Sequence, residues 1–203
     1  MLKNRFFQIL IAVTLLSIIG YSYFNSDTTS LQSNYDKLLL SERADKNKFF
    51  LTSETSPIEN KESFKKLNYF PPNIKLKLDA KILPYEGIDR QAKVLMTDGS
   101  MEIYENYGFV EFQINNQNHK LLVFRIEKTL SVLFRDATAP AETYGGGRYI
   151  DIPLEKVQNG NEVVLDFNLA YNPYCAYNHT YACPLPPKEN TLSVRIEAGE
   201  KIY

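Results

Sequence analysis

The chain is 203 residues long and carries 23 basic and 24 acidic side chains, a formal net charge of −1. A balance this even excludes a nucleic-acid footprint and a polyacidic tail alike. Less an apolar N-terminal segment, the remainder suits one ordinary domain with its own core. Aromatic residues reach 13%, with no Trp. Tyr and Phe favour half-buried strands, so composition leans toward β structure.

Lys3 and Arg5 precede an uncharged apolar run over residues 6–24. As a helix this run rises about 28 Å, the thickness of a bilayer's hydrocarbon core. The next basic residue is Lys37, so the positive-inside bias keeps the N-terminus cytoplasmic and sends the body across the membrane. Residues 1–24 therefore read as a signal-anchor or signal peptide. Length favours the uncleaved anchor, since a signal peptide has a shorter apolar region and a small-residue cleavage site. Residues 25–33 are small and polar, the composition of a linker, and residues 34–203 form a single β-rich domain. The expected location is the cell membrane, single-pass, with the body periplasmic or on the cell surface.

Residues 34–50 mix apolar and charged positions at helical spacing, with Ser33 or Asn34 as N-cap. A short helix is expected over residues 61–67, stopped by Pro71 and Pro72. Beyond Pro72 the period becomes two: Ile74, Leu76, Leu78, Ala80 and Ile82 alternate with Lys75, Lys77, Asp79 and Lys81, the pattern of a strand with one wet face. Strands follow over residues 92–97 and 101–106, around the turn Asp98-Gly99-Ser100, and over 109–115 and 120–127, around Asn115 to Asn118. Residues 131–135, 148–152, 163–167 and 192–196 supply four more. Many short strands without intervening helices predict a mainly β fold, an antiparallel barrel or sandwich with an N-terminal helix.

Glycine, proline, tyrosine and both cysteines concentrate in the last third. Phe134-Arg-Asp136-Ala-Thr138, Thr143-Tyr-Gly-Gly-Gly-Arg148-Tyr149, Leu165-Asp-Phe-Asn168, Ala170-Tyr-Asn-Pro173, Cys175-Ala-Tyr177, Cys183-Pro-Leu-Pro-Pro187, Glu189-Asn190 and Ala198-Gly-Glu-Lys201 stand there in order. With these motifs the chain resembles a bacterial family of unknown function, domain-of-unknown-function family 1684, in its shorter form. Fainter similarity around residues 56–58 and 64–70 extends the resemblance over nearly the whole body. The resemblance implies no reaction; it selects residues.

Gly145, Gly146, Gly147 and Arg148 have two readings. Successive backbone N–H groups beside an arginine fork suit an anion, and with Tyr144, Asn168, Tyr171 and Asn172 they make a candidate ligand site. Glycines inside a strand pattern also mark a turn or bulge, with Arg148 ion-paired to Asp136 or Asp166. Cys175 and Cys183 in an extracytoplasmic domain favour a disulfide. The alternatives are a Cys175/His179/Cys183 metal set, short of a fourth ligand, and a Cys175–His179 nucleophile pair. His119 reads as a surface residue. Asp136, Asp166 and Glu189, with Glu142 and Asp151, are the carboxylates able to act as general acid and base, although such residues at strand ends commonly hold turns. No metal or cofactor is expected. The leading expectation is a membrane-tethered binding or envelope-interaction module for an anionic small molecule or glycan. The alternative is a metal-independent hydrolase using the carboxylates of the C-terminal third.

Overall fold

The computed structural model describes the backbone of residues 2–203 and the side chains of residues 9–17 and 31–203. The chain divides into two compact units, residues 1–42 and 43–203. Helix α1 (Leu2–Thr52) runs through residues 25–33, where an irregular linker was expected. Neither Gly nor Pro occurs between residues 21 and 56, so nothing there breaks a helix once it has formed. It ends where Ser53 N still reaches Phe49 O at 2.9 Å and the Ser56 hydroxyl takes Phe50 O at 2.6 Å. Among the described residues no helix is long and apolar enough to cross a membrane. Of the expected span, the side chains of residues 6–8 and 18–24 lie outside the described residues.

The second unit is mainly β. Its strands are β1 (Lys77–Pro84), β2 (Gln91–Leu95), β3 (Met101–Ile114), β4 (Gln117–Ile126), β5 (Thr129–Phe134), β6 (Arg148–Pro153) and β7 (Glu162–Asp166). All pairings are antiparallel, in the order β6-β5-β4-β3-β1-β7, with β2 also on β3. The sheet curls into a nearly closed barrel. Its interior is filled by Val110, Leu121, Val123, Leu130, Val132, Ile150 and Leu165, and by Phe167, whose ring lies edge-on to Phe112 and Phe134 at 5.4 and 5.3 Å. On the other face of the sheet Leu122, Phe124, Leu133 and Tyr149 pack with Val94 of β2. Burial on both faces explains why residues 121–124 and 130–134 read as apolar runs instead of alternating.

Three expected elements differ. The segments 101–106 and 109–115 are one strand, β3, with a register shift between Asn106 and Gly108. A side chain at Gly108 would collide with the Leu83 carbonyl, so the bulge admits a close backbone approach. Residues 61–67 form a turn and extended chain instead of a helix. Asn60 Oδ1 takes the Glu62 and Ser63 amides at 3.1 and 3.2 Å, and Asn47 Oδ1 takes that of Leu67 at 2.7 Å. The Asn60 bonds cap a single turn, and the Asn47 bond takes the Leu67 amide that a continuing helix would direct to Ser63 O. Residues 192–196 form no strand. Their backbone is held by Arg135, Asp136, Ala137 and Arg148, as described below.

β3 shares one edge between two neighbours. Met101 to Glu105 pair with β2, and Gly108 to Glu111 pair with β1. β1 gives β3 only Lys81 to Pro84 and gives its opposite edge, Lys77 to Lys81, to β7. Beyond the Lys81–Glu111 pair the two strands part.

Candidate functional site

The motif stretch folds around Arg148, the first residue of β6. Gly147 holds φ 96° and its amide closes a turn onto Tyr144 O at 2.9 Å. A side chain there would strike Phe134 O and Pro186, so glycine is required for the turn that launches Arg148 inward. Arg148 is 1% exposed. Its Nη2 donates to Asp136 Oδ1 at 3.2 Å and Ile196 O at 3.1 Å, and its Nη1 donates to Glu200 O at 3.2 Å and to Ala198 O. Asp136 also accepts from Thr138 at 2.8 Å and from Ile196 N at 2.5 Å. Burial lowers the guanidinium's pKa, and the Asp136 carboxylate opposes that shift. The pair is thus Arg148 with Asp136, not Asp166, and the guanidinium faces the chain's own acceptors. The anion-receptor reading of Arg148 is corrected accordingly. Gly145 is part of the same turn, its carbonyl accepting from Arg135 Nε at 3.0 Å.

Glu200 is a second buried charge, 1% exposed. Its Oε1 accepts from Lys46 Nζ at 2.5 Å and Tyr69 OH at 3.3 Å, and its Oε2 from Tyr177 OH at 2.6 Å and Asn172 N at 2.8 Å. Neither Glu200 nor Lys46 stood out in the sequence, although Glu200 lies within the Ala198-Gly-Glu-Lys201 motif. Asn172 also donates to Lys201 O at 2.8 Å.

The other candidates hold the fold. Asp166 accepts from Asn168 N and Nδ2 at 3.0 and 2.9 Å, while Asn168 exchanges bonds with both backbone groups of Asn73 at 2.8 Å. Glu189 is exposed in a 3-10 turn. Tyr171 donates to Asp151 at 2.6 Å and sets its ring against Tyr149 at 5.7 Å. Glu142 bonds Arg195 at the surface. Asp136 and Asp166 are therefore each bonded within the fold, and Glu189 is exposed.

Cys175 and Cys183 are free thiols, both buried, which corrects the expected disulfide. The two thiols lie side by side, with Cys175 N donating to Cys183 Sγ at 3.2 Å. Tyr144 OH donates to Cys175 Sγ at 3.8 Å. The bond from Cys183 lowers the Cys175 pKa despite burial, and the same contact raises that of Cys183. His179 is exposed. Among the described residues no group of three or more His, Cys, Asp or Glu could hold a metal ion.

An open groove of about 600 Å³ lies where β1 leaves β3. Core residues Leu78, Ala80, Phe112 and Val163 line it together with outward-facing Asp79, Lys81, Glu111 and Gln113 of the same strands. Residues from both faces meet there because the sheet is interrupted. Asn118, Lys156, Gln158 and Glu162 complete the rim, and Gln113 Nε2 donates to Asn118 Oδ1 at 2.8 Å. His119, read as a surface residue, stacks on Phe112 at 5.7 Å. No sequence signal marked this groove, because it arises from where a pairing stops.

Fold and site define a nearly closed antiparallel barrel braced by the buried Arg148–Asp136 pair and by buried Glu200, with an open groove between β1 and β3. The chain belongs to the family of proteins of unknown function DUF1684, whose model matches residues 62–201. It is similar to the solution NMR structure of an uncharacterised protein, gene locus rrnAC0354, of Haloarcula marismortui. The identity is 34%, the TM-score is 0.64, and the match covers 83% of this chain and 95% of the other. No curated protein matches the sequence.

Two predictions follow from this packing. Arg148→Ala leaves Asp136 buried without its counter-charge and should destabilise the fold by roughly 3 to 5 kcal/mol. Arg148→Lys should recover little, since an ammonium cannot span the same fork of acceptors. Urea denaturation checks both, and an alanine variant as stable as wild type would refute the bracing role. The second concerns alkali. Burial raises the phenol pKa of Tyr69, Tyr149, Tyr171 and Tyr177. The folded state then keeps protons that the unfolded chain releases near pH ~10, so stability is intact below that pH and falls as the pH climbs above it. Urea midpoints followed with tyrosinate absorbance should decline together above pH ~10; a flat midpoint at pH ~11 contradicts this.

Proposed function

We propose that the chain is a membrane-tethered binding module whose ligand sits in the groove between β1 and β3. The interruption of the sheet beyond Lys81–Glu111 is the observation that carries this reading. The groove has the volume typical of small-molecule sites, about 300 to 1,000 Å³, and combines an apolar floor with convergent polar groups. Its lining holds three carboxylates, Asp79, Glu111 and Glu162, against two amines, Lys81 and Lys156. That balance gives no advantage to an anion. Amides at Gln113, Asn118 and Gln158 beside carboxylates offer both donors and acceptors, which suits a neutral polyhydroxylated ligand, a glycan in preference to an anionic small molecule. The hydrolase alternative lacks a comparable support, since Asp136 and Asp166 are buried in bonds to the chain itself and Glu189 is exposed outside the groove.

The tether rests on the uncharged run over residues 6–24 behind Lys3 and Arg5. Within it Ile9, Leu10, Ile11, Val13, Leu15 and Leu16 are between 43% and 68% exposed. A helix that is apolar around its circumference needs an apolar environment, and the bilayer supplies one.

Neutral oligosaccharides titrated into isotope-labelled protein should shift the amide signals of Gln113, Asn118 and Gln158. Gln113→Ala should weaken binding about tenfold, or about 1.4 kcal/mol. Tighter binding of sulfated or uronic counterparts would overturn the neutral-ligand reading. A reporter active only in the cytoplasm, fused after Tyr203, should be silent in cells. Strong reporter activity would overturn the extracytoplasmic body.

A further inference from the structure

Cys175 and Cys183 are left unused by the reading above, and their surroundings differ from those of inert core cysteines. Cys175 N donates to Cys183 Sγ at 3.2 Å, which sets the two thiols side by side, with Cys175 2% and Cys183 7% exposed. Cys175 Sγ lies within reach of the Tyr144 hydroxyl at 3.8 Å. On the other side Thr97 Oγ1 receives the Cys183 amide at 3.0 Å, and Thr97 N donates to Cys183 O at 2.9 Å. Two thiols are thereby held side by side, with the Tyr144 hydroxyl donating to one of them. Residues 179–182, between the cysteines, form an exposed turn, so the pair sits directly beneath solvent-facing chain.

We propose that Cys175 and Cys183 form a redox-active dithiol that reduces hydroperoxides, with Cys175 as the nucleophile and Cys183 as the resolving thiol. In the first step the Cys175 thiolate attacks one peroxide oxygen. The S–O bond forms as the O–O bond breaks, and the other oxygen leaves as alkoxide, or as hydroxide from hydrogen peroxide, and takes up a proton as an alcohol or water. Sulfur is oxidised by two electrons and the peroxide is reduced by two. In the second step Cys183 Sγ attacks the Cys175 sulfenic acid. The S–S bond forms, the S–OH bond breaks, and the departing hydroxide leaves as water with the Cys183 proton. One hydroperoxide and two thiols thus yield one disulfide and two hydroxyl products. A dithiol reductant reverses the oxidation by exchange.

The asymmetry of the pair assigns the roles. Cys175 accepts from the Tyr144 hydroxyl at 3.8 Å, which favours its thiolate, and the neighbouring Cys183 thiol lowers its pKa further. The same contact holds the proton on Cys183. The thiolate is the reactive species toward peroxide. Contact between the sulfurs lets the second step proceed without unfolding the turn.

The test uses the full chain, fully reduced and freed of reductant, with hydrogen peroxide as the probe. Intact mass should show the loss of two hydrogens, and differential alkylation the loss of both thiols, with dithiothreitol restoring them in the folded protein. The folded chain should react at least tenfold faster than the same chain in urea. Its rate should hold between pH ~8 and pH ~7, where an ordinary thiol slows. In Cys183→Ser, dimedone should label Cys175; in Cys175→Ser, Cys183 should stay unlabelled at the same dose. A folded chain that reacts no faster than the unfolded one overturns the proposal, and this comparison does not depend on whether either variant folds. So does dimedone labelling of Cys183 in place of Cys175. A disulfide that dithiothreitol reduces only after unfolding would make the pair a static bridge and overturn it equally.

Discussion

The burial of Arg148 against Asp136 is the constraint on which the C-terminal third depends. Residues 192–200 lie in no strand of the sheet and bridge Tyr69 at Glu200, yet all their carbonyls must be satisfied. Arg148 supplies donors to three of them, at Ile196, Ala198 and Glu200, and Asp136 accepts from Ile196 N. One ion pair thus replaces a missing strand. Isolating a charge in an apolar interior is unfavourable by several kcal/mol, and the arrangement is sustained only because every acceptor is in place. The glycine turn before Arg148 and the Asp136 segment after β5 serve one geometric end: bringing the two side chains together at 1% exposure each.

Asparagine amides repeat this device elsewhere. Asn190 is completely buried, donates to Leu122 O and Leu133 O at 2.9 and 2.7 Å, and accepts from Leu122 N at 2.6 Å. It joins β4 to β5 where the register between those strands has ended above Phe124–Ser131. Asn168 binds both backbone groups of Asn73 in the same way. A carboxamide presents one donor pair and one acceptor side by side, so it can stand in for a peptide group of an adjacent strand. The barrel therefore closes through side chains at places where backbone pairing runs out.

That division explains what could be read in the sequence. Alternation located β1 from Lys77 onward, although Ile74 to Leu76, read as its start, form a 3-10 turn, and turn chemistry located both hairpins: Gly99 has φ 86°, and Asn115 and Asn116 both have φ above 50°. Where side chains replace backbone partners, local pattern misleads. Residues 192–196 carry a strand-like sequence but bond to Arg148 and Asp136. Residues 61–67 look helical, yet their amides are taken by Asn60 and Asn47. The motifs identified Arg148 and Asp136 and left their partnership open between two aspartates. Glu200 escaped because nothing local distinguishes a buried carboxylate from a solvated one; Lys46 is 154 residues away in the chain. The cysteines were legible as a pair, and their state was not, since contact between sulfurs does not by itself fix a bond.

The groove has a different origin from the braced region. β1 faces two partners, but its eight residues divide between them: Lys81 to Pro84 serve β3, and Lys77 to Lys81 serve β7. A strand this short cannot close both seams along their whole length at the offset that the two registers impose. The uncovered stretch falls at Leu78 to Ala80 opposite Phe112 and Gln113, where no asparagine or arginine is inserted to bridge it. At Asn73 and at Leu122 such gaps are filled by a buried amide. At this seam charged and amide side chains line the opening and leave it accessible. The same barrel is thus sealed where side chains span the missing backbone bonds and open where they stop short, which concentrates its ligand-accessible volume outside the motifs that hold the fold together.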